Sequence, residues 1–183
     1  MTGMRTIGLA TAAVLALAAC QTTPAPTARA AQASSALDVR QAMVEGVNPA
    51  ALAIWDVGNN ATDDEGMPDP AKLDAVTLAR LREAAQMLGT YAELLAEAPI
   101  LRASGPDLVG GGVPEGVASR EQIQAAIDAN PAGFRAYSQA MGDQAEGILA
   151  AIEAGDRAAV ADRVQGFDGA CQACHERYWY VNQ

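Results

Sequence analysis

Lysine occurs once in this 183-residue chain, at Lys72, histidine once, at His175, and cysteine three times. Aromatic side chains make up 4% of the sequence. The 12 basic residues stand against 22 acidic ones, for a formal charge of −10. That deficit of positive charge excludes nucleic acid and anionic lipid as charge-driven partners. No stretch shows the alternating pattern of a half-buried strand, and a composition rich in alanine and poor in aromatics suits close-packed helices rather than sheets. The triplet Gly110-Gly111-Gly112 has no strand before it and no Gly-Lys-Ser/Thr after it, which excludes a phosphate-cradling loop and leaves a linker. Half the residues are hydrophobic, enough for one buried core.

Two of the three cysteines and the one histidine lie together, in Cys171-Gln172-Ala173-Cys174-His175. On a helix, residues three and four apart share a face, so all three side chains project from one strip. C-x-x-C alone serves redox couples, zinc half-sites and structural disulfides. A redox couple calls for a βαβ context that is missing here, and zinc needs a fourth ligand. Followed directly by histidine, the pair reads as an attachment site for one covalent haem c, with thioethers at Cys171 and Cys174 and His175 as axial iron ligand. Val160, Val164, Phe167, Cys171, Cys174, Tyr178 and Val181 form a sustained heptad stripe, which turns both cysteines toward a core.

The remaining segments follow from local signals. Met1 to Ala19 has the charged start and short apolar run of a bacterial secretion signal, with Arg5 before Ile7 to Leu17. It ends Leu17-Ala18-Ala19-Cys20, similar to the lipobox of bacterial lipoproteins, which implies lipidation of Cys20 and a membrane anchor facing the periplasm. Cleavage near Ala28 to Ala31 is the alternative and yields a soluble periplasmic protein. Residues 20–35 read as a flexible tether and 36–183 as the folded domain. Leu37 to about Asn59 reads as helical, kinked or split at Asn48-Pro49. Asp69-Pro70 reads as the start of a second helix running to Ala98, with Leu73, Leu81, Ala84, Leu88, Tyr91 and Leu95 on its core face. After a long crossover from Ser104 to Gly116, Ser119 with Gln122 forms a capping box for a third segment. That segment meets Asn130-Pro131 and continues through Phe134, Tyr137, Met141, Ala145, Ile148 and Ile152. Gly155-Asp156 closes it and caps the last helix. The expectation is all-α: an antiparallel four-helix bundle with kinked or split first and third helices.

An exported helical bundle with C-x-x-C-H near the end of its last helix, and Tyr178 three residues beyond the histidine, resembles the class II c-type cytochromes, the cytochrome c′ and cytochrome c-556 group. The resemblance implies a haem-packing role for Tyr178 and a propionate contact for Arg40, in Val39-Arg40-Gln41. It also implies that the distal iron site faces the first helix a few residues after that arginine. The usual spacing of four selects Val44, whereas Met43, one residue earlier, is the ligand candidate; both fall on the same general side of the helix. Methionine there implies a single-electron carrier, and an open apolar site implies binding of nitric oxide or carbon monoxide. A haem-free structural lipoprotein is a remote third reading. The family commonly carries a basic residue four after the axial histidine, where this chain has Trp179, with Arg177 nearby. No enzymatic set is present: the one histidine is committed to iron, and Asp63, Asp64 and Glu65 read as solvated loop acids. An acidic surface suits basic redox partners. Pairing of two copies through the first two helices is implied by resemblance.

Overall fold

The computed structural model describes residues 36–104 and 116–180. The segments assigned above to the signal, Cys20 and the tether lie outside these residues, as do Gly110 to Gly112 and Val181.

Five helices account for the fold. Helix α1 spans 39–60 without a break: α-helical over Val39–Ala42 and Asn48–Asn60, with a wider π-helical stretch, Met43–Val47, between them. Helix α2 is Ala75–Glu97, α3 Arg120–Ala129, α4 Pro131–Glu153 and α5 Arg157–Tyr178. Contacts run from α1 to α2, α2 to α4, α4 to α5 and α5 back to α1, closing a four-helix ring, while α3 braces α4 and α5 from one end. No helix among the described residues is long and apolar enough to cross a membrane.

Polar residues outside the apolar pattern set the helix starts. Asp38 accepts a hydrogen bond from the Gln41 N–H at 2.9 Å, Asp74 from Thr77, Asn130 from Gly133 and Asp156 from Ala159, each satisfying an otherwise orphaned first-turn donor. Ser119 and Gln122 form the expected reciprocal box. Gly155, at φ +68°, supplies the left-handed turn between α4 and α5.

The two Asn-Pro sequences resolve differently. At Asn130-Pro131 the chain breaks, Asn130 leaving helical geometry at φ −150° and its side chain capping α4. At Asn48-Pro49 it does not. The ring of Pro49 would press on the Glu45 carbonyl in a regular α-turn and brings no N–H of its own. The widened turn just before it, with the Asn48 N–H bonded to the Met43 carbonyl, gives the ring room and keeps the helix continuous.

Two further expectations are corrected. The Asp69-Pro70 start yields only a 3₁₀ turn, Pro70–Lys72, and α2 begins at Ala75, directly after the Asp74 carboxylate that caps it. Leu73 is buried from this loop rather than from the helix. A two-residue parallel pairing of Leu37–Asp38 with Leu101–Arg102 also appears where no strand is expected; two residues are too few to show a period of two. Ser104 donates from both N–H and hydroxyl to Asp38 at 2.7 Å, fastening the end of the α2 exit to the start of α1.

The core lies where the heptad stripes place it. Leu81, Leu88 and Leu95 of α2, Ala145 and Ile148 of α4 and Phe167 of α5 are fully buried, and Ile54 of α1 meets them. Tyr91 is half-buried and lies flat against Gly46, in the π-helical stretch.

Candidate functional site

The C-x-x-C-H residues occupy the last two turns of α5, where they line a cleft between α1, α4 and α5. Cys171, Cys174 and His175 form one wall. Met43, Val47, Ala51 and Trp55 of α1 form the second, and Phe134, Tyr137, Ser138 and Met141 of α4 the third. Nearly all of these are apolar, and Ser138, buried, spends its hydroxyl on the Phe134 carbonyl at 3.1 Å. The walls close to about 40 Å³, against roughly 300–1,000 Å³ for a small-molecule site, so a large planar group requires the side chains of α1 and α4 to move outward.

The electrostatics of the wall are those of an apolar seat. Both thiols are free. Burial first, and the neighbouring Asp168 carboxylate second, push the Cys171 thiol up to about 11; burial and then Cys171 push Cys174 up to about 12. A redox or zinc-binding thiol shows the opposite shift, toward a stable thiolate. Among the described residues no group of three or more His, Cys, Asp or Glu side chains could hold a metal ion on its own. His175 is pulled below its ordinary value by burial, with Asp168 partly opposing, and the neutral imidazole is the form that ligates metal. Two neutral thiols, a neutral imidazole and a thioether facing one apolar cleft are a donor set that fits a covalently held, iron-bearing macrocycle.

The first-helix candidates separate by register. Met43 lines the cleft, whereas Val44 points to solvent with 41% exposure, so the two do not share a side. Arg40 is buried at 3% exposure, its guanidinium 5.6 Å from the centre of the Trp179 ring. Trp179 in turn lies 6.0 Å from the His175 ring. Tyr178 is buried but does not line the cleft. Its hydroxyl donates to the Asn130 carbonyl at 3.1 Å and its ring packs edge-on against Phe134 and Tyr137, tying the end of α5 to the α3–α4 junction. Gly133, whose β-carbon would meet Asn130 and the Tyr178 hydroxyl, keeps that junction tight. Asp63 is not merely solvated: it accepts the N–H groups of Glu65 and Met67 and shapes the loop between α1 and α2, while Asp64 and Glu65 are exposed.

Sequence reasoning missed the cleft roles of Trp55, Val47 and Ala51, and the Arg40–Trp179 contact. The heptad stripe of α4 already contained Tyr137 and Met141, but only as core. A signal for the contact was present in Trp179 itself, an apolar ring where the resemblance leads one to expect a charge.

A helical ring that gathers C-x-x-C-H and a methionine at one cleft is the arrangement that the resemblance to the class II c-type cytochromes implies. Residues 111–179 match the family model described as cytochrome c′, a stretch that takes in α3, α4 and α5. A cytochrome c′ of Rhodospirillum rubrum is 34% identical over 67 residues, which is 36% of this chain and 46% of that one. The chain thus spans about half the length of the curated relative it matches. No solved structure gives a significant match. The C-terminal part of the chain, residues 111–179, is thus similar to cytochrome c′.

Proposed function

We propose that this protein is a single-electron carrier with one covalent haem c, attached at Cys171 and Cys174 and ligated by His175 and Met43. The observation that carries the reading is that His175 of α5 and Met43 of α1 line the same cleft while Val44 faces solvent. The haem supplies a metal that changes oxidation state by one electron; the protein's part is to hold it, exclude water and set its potential through ligand, burial and charge. The apolar side chains of Val47, Ala51, Phe134 and Met141 would keep water from the bound group. A neutral His175 and the Met43 thioether would hold either oxidation state without taking up or releasing a proton. Two ligands carried on helices of the bundle would keep rearrangement small on electron transfer.

The same reading puts the protein on the periplasmic side of a bacterial membrane, anchored through lipidated Cys20, and is supported by the signal-like start of the chain. The exposed apolar side chains Val44 and Leu52 on α1, and Met87 and Leu94 on α2, support pairing of two copies through these helices. The acidic charge favours basic redox partners, with contacts that weaken as salt rises.

The test is the optical spectrum of the reduced protein, purified from a host that installs haem c, with and without carbon monoxide. A low-spin spectrum indifferent to the gas, converted to a gas-binding one by Met43→Leu, supports the carrier. A high-spin spectrum that shifts on adding carbon monoxide to the parent supports gas binding instead. A colourless product without the mass of a macrocycle overturns both.

A further inference from the structure

We infer that Trp179 is a positioning residue that holds the His175 imidazole and the Arg40 guanidinium in fixed relation, and thereby sets the reduction potential of the site; the inference rests on the haem reading above. Trp179 is in contact with both groups. Its ring centre is 6.0 Å from that of His175, with 34° between the planes, and 5.6 Å from the Arg40 guanidinium carbon. Those separations are within the range of aromatic contact and of cation–π attraction, for which tryptophan is the best ring.

The main chain of Trp179 is held at both its N–H and its carbonyl. The Trp179 N–H donates to the His175 carbonyl at 2.8 Å, the Tyr180 N–H donates to the same carbonyl at 2.9 Å, and the Trp179 carbonyl accepts from the Ala118 N–H at 2.8 Å. The last turn of α5 is therefore fastened to the segment entering α3, and the residue cannot fray away from the axial histidine. From α1, Arg40 reaches over the ring at 3% exposure. Glu121, at the start of α3, is held below the usual carboxylate range chiefly by hydrogen bonds from its own N–H and the Ser119 hydroxyl, with smaller pulls from Arg120 and Arg40. Arg40 of α1 and His175 of α5 thus meet the Trp179 ring, and the segment entering α3 holds its main chain.

The consequence is electrostatic and orientational. A buried positive charge is screened little by salt and favours the ferrous over the ferric state. Groups behind a metal's first ligands fix ligand orientation and tune the metal. The Tyr180 ring also packs edge-on against His175, at 5.9 Å, so removing the indole takes away one contact of each group rather than all of them; it loosens the Arg40 charge and the imidazole together, and the potential falls.

The experiment compares parent, Trp179→Phe and Trp179→Leu as haem-loaded proteins. The macrocycle mass is checked first, so that failure of attachment, which refutes the haem reading, is distinct from failure of the present inference. At a fixed poise the reduced-to-oxidised ratio is expected to fall about tenfold in Trp179→Leu, equal to about 59 mV for one electron, and by less in Trp179→Phe. The low-temperature paramagnetic resonance signal, which reports axial-ligand orientation, should broaden or shift in the same order. In an Arg40→Leu background the leucine variant should move the potential much less, because the charge it would release is gone. A loaded Trp179→Leu protein with parental potential and resonance overturns the inference, as does an equal shift in the Arg40→Leu background. If Trp179→Leu does not accumulate, Trp179→Phe decides: a smaller shift of the same sign supports the inference, and an unchanged potential overturns it.

Discussion

Replacing Gly46 with alanine tests how the π-helical stretch is built and what it does for the site. A β-carbon there would overlap the body of the Tyr91 ring, at Cγ, Cδ2 and Cε2, rather than its flexible tip. The ring must therefore swing away as a unit or α1 must shift off α2. Overpacking of this kind costs about 1–3 kcal/mol, and the ring-body overlap puts it toward the upper end. Against that, removing glycine from a helix interior gains about 0.8–1 kcal/mol. The net expectation is a loss of about 1–2 kcal/mol, or a fall in melting temperature of roughly 2–8 °C for a domain of this size. Urea melts of parent, Gly46→Ala, Tyr91→Ala and the double variant isolate the interaction: the glycine change should be destabilising with tyrosine present and neutral or stabilising with alanine opposite it. The functional readout follows because Met43 opens the same stretch. A shifted α1 moves its thioether, so the loaded variant should gain a high-spin, carbon monoxide-binding fraction. A Gly46→Ala protein as stable as the parent, with Tyr91 in place and the spectrum unchanged, refutes the packing argument and the link to Met43 together.

Other expectations are simpler. Phe167, fully buried in α5 with Trp55 at 6.0 Å between ring centroids, should cost about 3–5 kcal/mol on truncation to alanine, measured by denaturant melts. Ser119→Ala removes one half of the capping box and should cost about 1 kcal/mol, partly recovered by Ser119→Asp. Cys171→Ala with Cys174→Ala should give a protein without covalent pigment and with a lower melting temperature; an unchanged temperature argues that haem does not stabilise the bundle. Alkaline stability should separate thiol from thioether. With free thiols at about 11 and 12 against an ordinary 9.0, the unfolded chain loses protons first, so stability present below pH 9 is lost as pH rises through 11 to 12. The pigment-bearing protein has no such thiols, and its pH curve should be flatter over that range; identical curves refute the assignment of the slope to Cys171 and Cys174.

How far a sequence discloses a site depends on whether chemistry or register carries the information. The C-x-x-C-H wall of the cleft was legible because the motif packs two thiols and an imidazole into five residues, and their mutual placement needs only local helix geometry. The stripes of α2, α4 and α5 were legible for the same reason, and Leu81, Leu88, Ile148 and Phe167 are buried where the heptads put them. The distal wall is different. An α-helix turns about 100° per residue, given 3.6 residues per turn, so a single wide turn re-aims every side chain that precedes it. The π-helical stretch ahead of Pro49 is such a turn, and it sets how the start of α1 faces the bundle beyond it. A spacing of four from Arg40 selects Val44, which faces solvent, while Met43, three from Arg40, lines the cleft. The Asn-Pro dipeptides make the same point, since identical letters give a break at Asn130 and an unbroken helix at Asn48. The surroundings differ: the Tyr91 ring of α2 packs against Gly46 just before the first proline, whereas at Asn130 the side chain caps a new helix and the Tyr178 hydroxyl bonds to the Asn130 carbonyl. Local letters alone therefore do not decide between a wide turn and a break; the contacts around each dipeptide have to be known as well.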